Sequence, residues 1–145
     1  MTSKTQIKKY NKVIFLEINS PQEKIQQIIK ISLEAFQRKD PMLFLTKDAS
    51  AAAYIDLLLW RFPKDSFLPH SLAAKQTNEN IVIAASFESV ENFTTIFNLT
   101  DKPFSLKNNS LLIYEFDDNT SLEKKRISKN NYKFYKENGF AIVSL

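Results

Sequence analysis

Residues 12–23 read Lys12-Val13-Ile14-Phe15-Leu16-Glu17-Ile18-Asn19-Ser20-Pro21-Gln22-Glu23, and this stretch decides the fold. Residues 13–16 form an unbroken apolar run, short enough for a strand and apolar enough to be buried on both faces. Ser20, Pro21 and Glu23 then supply an N-cap side chain, a proline at the first helical position and a carboxylate in the first turn. Behind them Ile25, Ile28, Ile29, Leu33 and Phe36 recur at helical spacing. A buried strand running straight into a capped helix is the first half of a strand–helix–strand unit, the element from which parallel sheets are built.

The pattern continues outward. Residues 42–45 read as a second buried strand, and Asp48 caps a helix through Ala51, Tyr54, Ile55, Leu58 and Leu59 that ends before Pro63. Three strands follow at 81–85, 94–99 and 111–116. Thr120-Ser121-Leu122-Glu123 has the form of a capping box opening a long final helix. Gly139 ends that helix in the left-handed conformation, and 140–143 form a last strand. The expectation is one α/β domain over residues 1–145, an open and largely parallel sheet with helices on both faces. The helices are expected near 21–38, 48–61 and 121–138, the first strand near the sheet's middle, and residues 1–11 as a flexible basic tail.

Three scarcities limit the chemistry. A single glycine, Gly139, rules out both glycine-rich phosphate motifs. With no cysteine there is no thiol catalysis, disulfide or cysteine-bound metal. One histidine, His70, excludes any two-histidine metal site. No cofactor and no metal are therefore expected. No apolar segment approaches the ~20 residues that span a bilayer, so the expectation is a cytoplasmic protein with no membrane partner. The net charge of +4 is uneven, with +4 in residues 1–12, +4 in residues 119–138 and −4 in the remainder. A basic segment near the C-terminus fits an acidic partner better than a protein wrapped in nucleic acid.

Residues 55–70 read Ile55-Asp56-Leu57-Leu58-Leu59-Trp60-Arg61-Phe62-Pro63-Lys64-Asp65-Ser66-Phe67-Leu68-Pro69-His70. This resembles the signature of the chi subunits of bacterial DNA polymerase III holoenzyme, through Asp56, Leu59, Trp60, Pro63, Ser66, Phe67, Pro69 and His70. Near the C-terminus Tyr132, Lys133, Tyr135, Lys136, Gly139 and Phe140 resemble the same family's closing helix, and Phe97-Asn98-Leu99 agrees in order. The resemblance covers essentially the whole chain. It implies a Rossmann-like domain that leaves its nucleotide site unused. It also implies a non-catalytic accessory protein of the clamp-loader assembly, contacting DNA only indirectly. One surface would dock the psi subunit, and another the acidic C-terminal tail of single-stranded-DNA-binding protein.

The individual residues carry competing readings. A lone Trp at the end of an apolar helix belongs in a core by composition. The proline-bounded loop 63–70, with Phe67 outside any periodic pattern, instead suits an interface anchor. The resemblance assigns Trp60, Phe67 and Pro69 to the psi-facing surface. His70 reads as a hydrogen-bonded structural residue rather than a base, Asp56 as a brace for the following loop, and Asp117-Asp118 as carboxylates placed for the dipole of the final helix.

On that helix, at about 100° per residue, Lys125, Arg126, Lys129, Lys133, Lys136 and Tyr132 share one arc of about 120°. Ile127 and Phe134 fall on the opposite side, toward the expected core. Without the resemblance a solvated lysine face is the preferred reading; few acids interleave on the arc, so i,i+4 pairing does not explain the stripe, and this weakens that reading. By resemblance Lys129 takes the tail's terminal carboxylate, Tyr132 walls the pocket for its last ring, and Lys125 and Lys133 meet its acidic residues. Relatives often carry Arg where Lys129 stands, so the fixed fork of a guanidinium is missing here. The alternative function is a single-stranded nucleic-acid-binding module using the basic helix, with Tyr132 stacking on bases. An enzyme on a Rossmann-like scaffold is a third reading, opposed by the missing Gly, Cys and His.

Overall fold

The computed structural model describes residues 10–61, 70–72, 80–87, 92–106 and 110–145. The strands are β1 (Lys12–Ile18), β2 (Met42–Leu45), β3 (Ser71–Leu72), β4 (Ile81–Ala84), β5 (Thr95–Asn98), β6 (Leu112–Asp118) and β7 (Ala141–Ser144). The helices are α1 (Pro21–Arg38), α2 (Ala49–Arg61) and α3 (Leu122–Glu137). All strand pairs are parallel, in the order β3-β4-β2-β5-β6-β1-β7. The expected α/β architecture and its three helices are present. The two-residue strand β3 is too short to leave a sequence pattern.

One topological expectation is corrected. β1 is not central; it lies next to the edge, between β6 and β7. β5 and β6 insert between it and β2, and the middle position belongs to β5. β7, half-buried along most of its length, pairs with the other side of β1.

The strand side chains alternate between two cores. Leu16, Met42, Phe44, Ile81, Ile83, Phe97 and Tyr114 face α1 and α2, which bury Ile28, Ile31, Ala35, Ala52, Ile55, Leu58 and Leu59 against them. Phe97 centres this side, with ring centroids 5.4 Å from Phe44, 5.7 Å from Tyr114 and 5.1 Å from Phe116. Val13, Phe15, Leu43, Val82, Ile96 and Ile113 point the other way, toward Tyr135 of α3 and Phe140. Helices therefore cover both faces.

Caps fix where the helices begin and end. Ser20 Oγ accepts from Glu23 N at 3.2 Å, and Glu23 Oε1 accepts from Asn19 N at 2.6 Å. Asp48 Oδ1 accepts from Ala51 N at 2.8 Å and starts α2. α3 departs from expectation by one residue. Ser121, not Thr120, is its N-cap, accepting from Lys124 N at 3.1 Å. Glu123 turns outward to Arg126 instead of completing a capping box, and Thr120 bonds Asp118. Past the other end Gly139 has φ 77°, and Phe140 N reaches back to Tyr135 O at 3.0 Å.

Candidate functional site

α2 leaves an apolar band outside. Its buried residues are Ala52, Ile55, Leu58 and Leu59, while Tyr54, Leu57 and Trp60 remain 53%, 50% and 55% exposed. Tyr54, expected on the core stripe, therefore faces outward. At three-residue spacing the three form an apolar strip along the helix, with the exposed Arg61 on the same face at its C-terminal end. Trp60 ends the strip, its ring centroid 4.7 Å from that of His70. His70 is buried, with Nε2 at 3.1 Å from Asp56 Oδ1, so Asp56 braces the end of the following segment as expected. Phe67 and Pro69 lie outside the described residues. The sequence reading missed Leu57, although a signal was there: Leu57-Leu58-Leu59-Trp60 holds more apolar residues than one helical face can bury.

α3 is built the opposite way. Its buried residues are Ser128, Asn131 and Tyr135. Ile127 and Phe134, expected to face the core, are only half-buried at its margin. Buried hydrogen bonds set this rotation. Ser128 Oγ accepts from Asp118 N at 2.9 Å and donates to Phe116 O at 3.1 Å. Tyr135 OH donates to Glu115 Oε2 at 2.5 Å and accepts from Phe104 N at 2.9 Å. Asn98 Nδ2 donates to the same Glu115 oxygen at 2.7 Å. Burial pushes the Glu115 carboxyl up to about 7, against the hydrogen bonds from Tyr135, Asn98 and Asn131 that pull it down. Burial and then the charge of Glu115 push the Tyr135 hydroxyl upward.

With that face seated, the flank of α3 meets the middle of β1 and the ends of β6 and β7 in a cleft of about 380 Å³. Phe15, Asp117, Lys125, Lys129, Tyr132 and Ser144 contribute to its lining. Tyr132, 42% exposed, leans on Phe15 with centroids 5.6 Å apart. Three of the four residues read as the tail site, Lys125, Lys129 and Tyr132, thus share one cleft. Lys133 lies exposed one position further along.

The basic arc is less free than its sequence suggests. Lys125 Nζ pairs with Asp117 Oδ1 at 2.9 Å, and Arg126 with Glu123 at 2.5 Å. Lys129, Lys133 and Lys136 are exposed and make no ion pair among the described residues. The reading of Asp117 and Asp118 as dipole-placed carboxylates is corrected too. β6 alternation sends them to opposite faces, Asp117 to Lys125 and Asp118 to Lys24 of α1 at 2.6 Å. Burial works to raise Asp118, but hydrogen bonds from Lys24 and Thr120 outweigh it and hold the carboxyl below its ordinary value.

A second hollow, about 270 Å³, opens at the carboxyl ends of β2, β5 and β6, where ligands bind in many open α/β sheets. The anion position beside it is already filled. At the start of α1, Ser20 and Glu23 consume donors that a phosphate would need, and Pro21 lacks one. No cluster of three or more metal-ligating side chains occurs among the described residues, and no described helix is long and apolar enough to cross a membrane.

The family profile described as DNA polymerase III chi subunit, HolC, matches residues 11–143. No curated protein matches the chain.

Proposed function

The chain belongs to the DNA polymerase III chi subunit family, and from that premise we propose that it is a non-catalytic adaptor acting in DNA replication in the cytoplasm. In this reading it joins the clamp-loader assembly through a psi subunit and grips the acidic C-terminal tail of single-stranded-DNA-binding protein. The observation that carries the tail site is the cleft itself, where Lys129, Lys125 and Tyr132 converge beside the apolar ring of Phe15. A tail ending in acidic residues, an aromatic ring and a free carboxylate needs cations beside an apolar wall. Lys129 takes the terminal carboxylate, Tyr132 and Phe15 take the ring, and Lys125 and Lys133 meet the acidic residues upstream. The exposed strip Tyr54, Leu57 and Trp60 supports a separate apolar docking surface for psi, to which Phe67 and Pro69 are also assigned.

Titration of a fluorescent tail peptide tests the tail site. Lys129→Glu is expected to weaken binding by more than about 30-fold, since it puts an anion where the terminal carboxylate docks. Psi binding is expected to stay unchanged, because α2 and α3 cover opposite faces of the sheet. Unchanged peptide affinity in this variant places the tail elsewhere. Binding of naked single-stranded oligonucleotide that is lost in the same variant establishes the nucleic-acid reading instead. The packing of Tyr132 against Phe15 leaves it less free to act as a stacking platform.

A further inference from the structure

We propose that Asp117 is an internal competitor at the tail cleft, holding down its affinity for acidic ligands; this rests on the reading of that cleft as the tail site. Asp117 is the carboxylate in the cleft lining, which otherwise offers Lys125 and Lys129 to an anion. Its Oδ1 accepts from Lys125 Nζ at 2.9 Å, and β6 alternation points it at α3 while its neighbour Asp118 points away.

Two effects follow for an incoming polyanion. Lys125 arrives already neutralised, and a fixed negative charge stays in the cleft after Lys125 has turned to the ligand. The fold does not depend on the pair. Its side chains are 36% and 33% exposed, and pairs that open contribute little to stability. α3 is held by Ser128, Asn131 and Tyr135 whether or not the pair forms. A pair that the fold does not require, placed where a ligand carboxylate would sit, acts as a stand-in for that carboxylate. Lys125 stays oriented toward the cleft when no ligand is bound and passes to the ligand when one binds. Asp117 thereby narrows the cleft's preference for acidic ligands, because a ligand carboxylate that engages Lys125 must displace the internal pair and then lie beside the charge that Asp117 leaves in the cleft.

The test uses the full chain and two labelled peptides. One ends in several Asp residues followed by Pro-Phe with a free carboxylate; the other has every Asp replaced by Asn. Asp117→Asn and Asp117→Ser are expected to bind the acidic peptide about 3- to 10-fold tighter than the original chain at low ionic strength. The gap should close near ~0.5 M salt, and the Asn peptide should show none. Two outcomes overturn the proposal while leaving the tail site in place: equal or weaker binding by both Asp117 variants when the original chain binds and Lys129→Glu does not, and equal tightening for both peptides. Absence of binding by the original chain and both Asp117 variants overturns the tail-site reading and this proposal with it.

Discussion

α2 and α3 cover opposite faces of one sheet and are attached to it by opposite chemistry. α2 is apolar inside and outside: it buries Ala52, Ile55, Leu58 and Leu59 and still exposes Tyr54, Leu57 and Trp60. α3 is polar over most of its surface: it buries Ser128, Asn131 and the ring of Tyr135, whose hydroxyl is hydrogen-bonded, and exposes Lys129, Lys133 and Lys136. Apolar burial has no direction, so α2 is held by volume and shape. Hydrogen bonds have direction, so Ser128 and Tyr135 fix the rotation of α3 about its axis. That difference suits what each helix offers to partners. A broad apolar strip tolerates small shifts, whereas a cleft built from Lys125, Lys129 and Tyr132 requires one rotation of the helix.

The contrast predicts unequal losses on truncation, the largest on the apolar side. Leu59 is 1% exposed, and Leu59→Ala is expected to cost about 2–5 kcal/mol in denaturant unfolding. Ser128→Ala removes little volume but strands Asp118 N and Phe116 O, at about 1–3 kcal/mol. The Ser128 variant should also loosen the tail cleft, and the Leu59 variant should not once both are compared as folded protein. Equal losses, or loss of tail binding in the Leu59 variant alone, break the comparison.

The polar seat of α3 should also respond to pH. Glu115 is nearly fully buried and its carboxyl is raised to about 7, above its ordinary 4.5 in the unfolded chain. The folded state therefore holds a proton that the unfolded state has released between those values. The stabilisation is complete below about pH 4.5 and is lost as pH rises through about 7, a fall of up to roughly 3 kcal/mol. Glu115→Gln keeps an acceptor oxygen for Tyr135 and cannot ionise. Its stability should stay flat between pH 5 and 7, on a scale of ~1 kcal/mol, and exceed that of the original chain above the transition. A variant retaining the original slope in urea titrations across this range assigns the slope to another group.

How much of this was legible in the sequence differs between the two sides. The first strand, α1 and α2 follow from apolar runs and caps because apolar burial leaves a periodic trace. The same logic misplaced the inner face of α3. Ile127 and Phe134 are the apolar residues that attract the eye, but the buried face is Ser128, Asn131 and Tyr135. Their burial depends on Glu115, Phe116 and Asp118 of another element, a tertiary pairing that a single-sequence pattern does not display. Asp117 was hidden for the same reason: its partner Lys125 is eight residues away, beyond any helical spacing rule. The place of β1 beside the edge was hidden too, because strand order is set by which later strands insert between β1 and β2.

Adjacent leucines on α2 sharpen the comparison at its smallest scale. Leu57 is 50% exposed and Leu58 is 4% exposed, although one peptide bond separates them and the chemistry of their side chains is identical. Leu58→Ala leaves a cavity between α2 and the sheet and is expected to cost about 2–5 kcal/mol. Leu57→Ala removes contacts made chiefly with water and should stay within about 0.5 kcal/mol of the original stability, with Ala also favouring the helix. If the strip docks psi, the same Leu57→Ala change should weaken that complex by about 1–2 kcal/mol, measured by calorimetry with purified psi. A melting midpoint that drops as far for Leu57 as for Leu58 makes the strip part of the fold. An unchanged midpoint together with unchanged psi affinity moves the docking surface off the middle of α2, toward Trp60 and the loop beyond it.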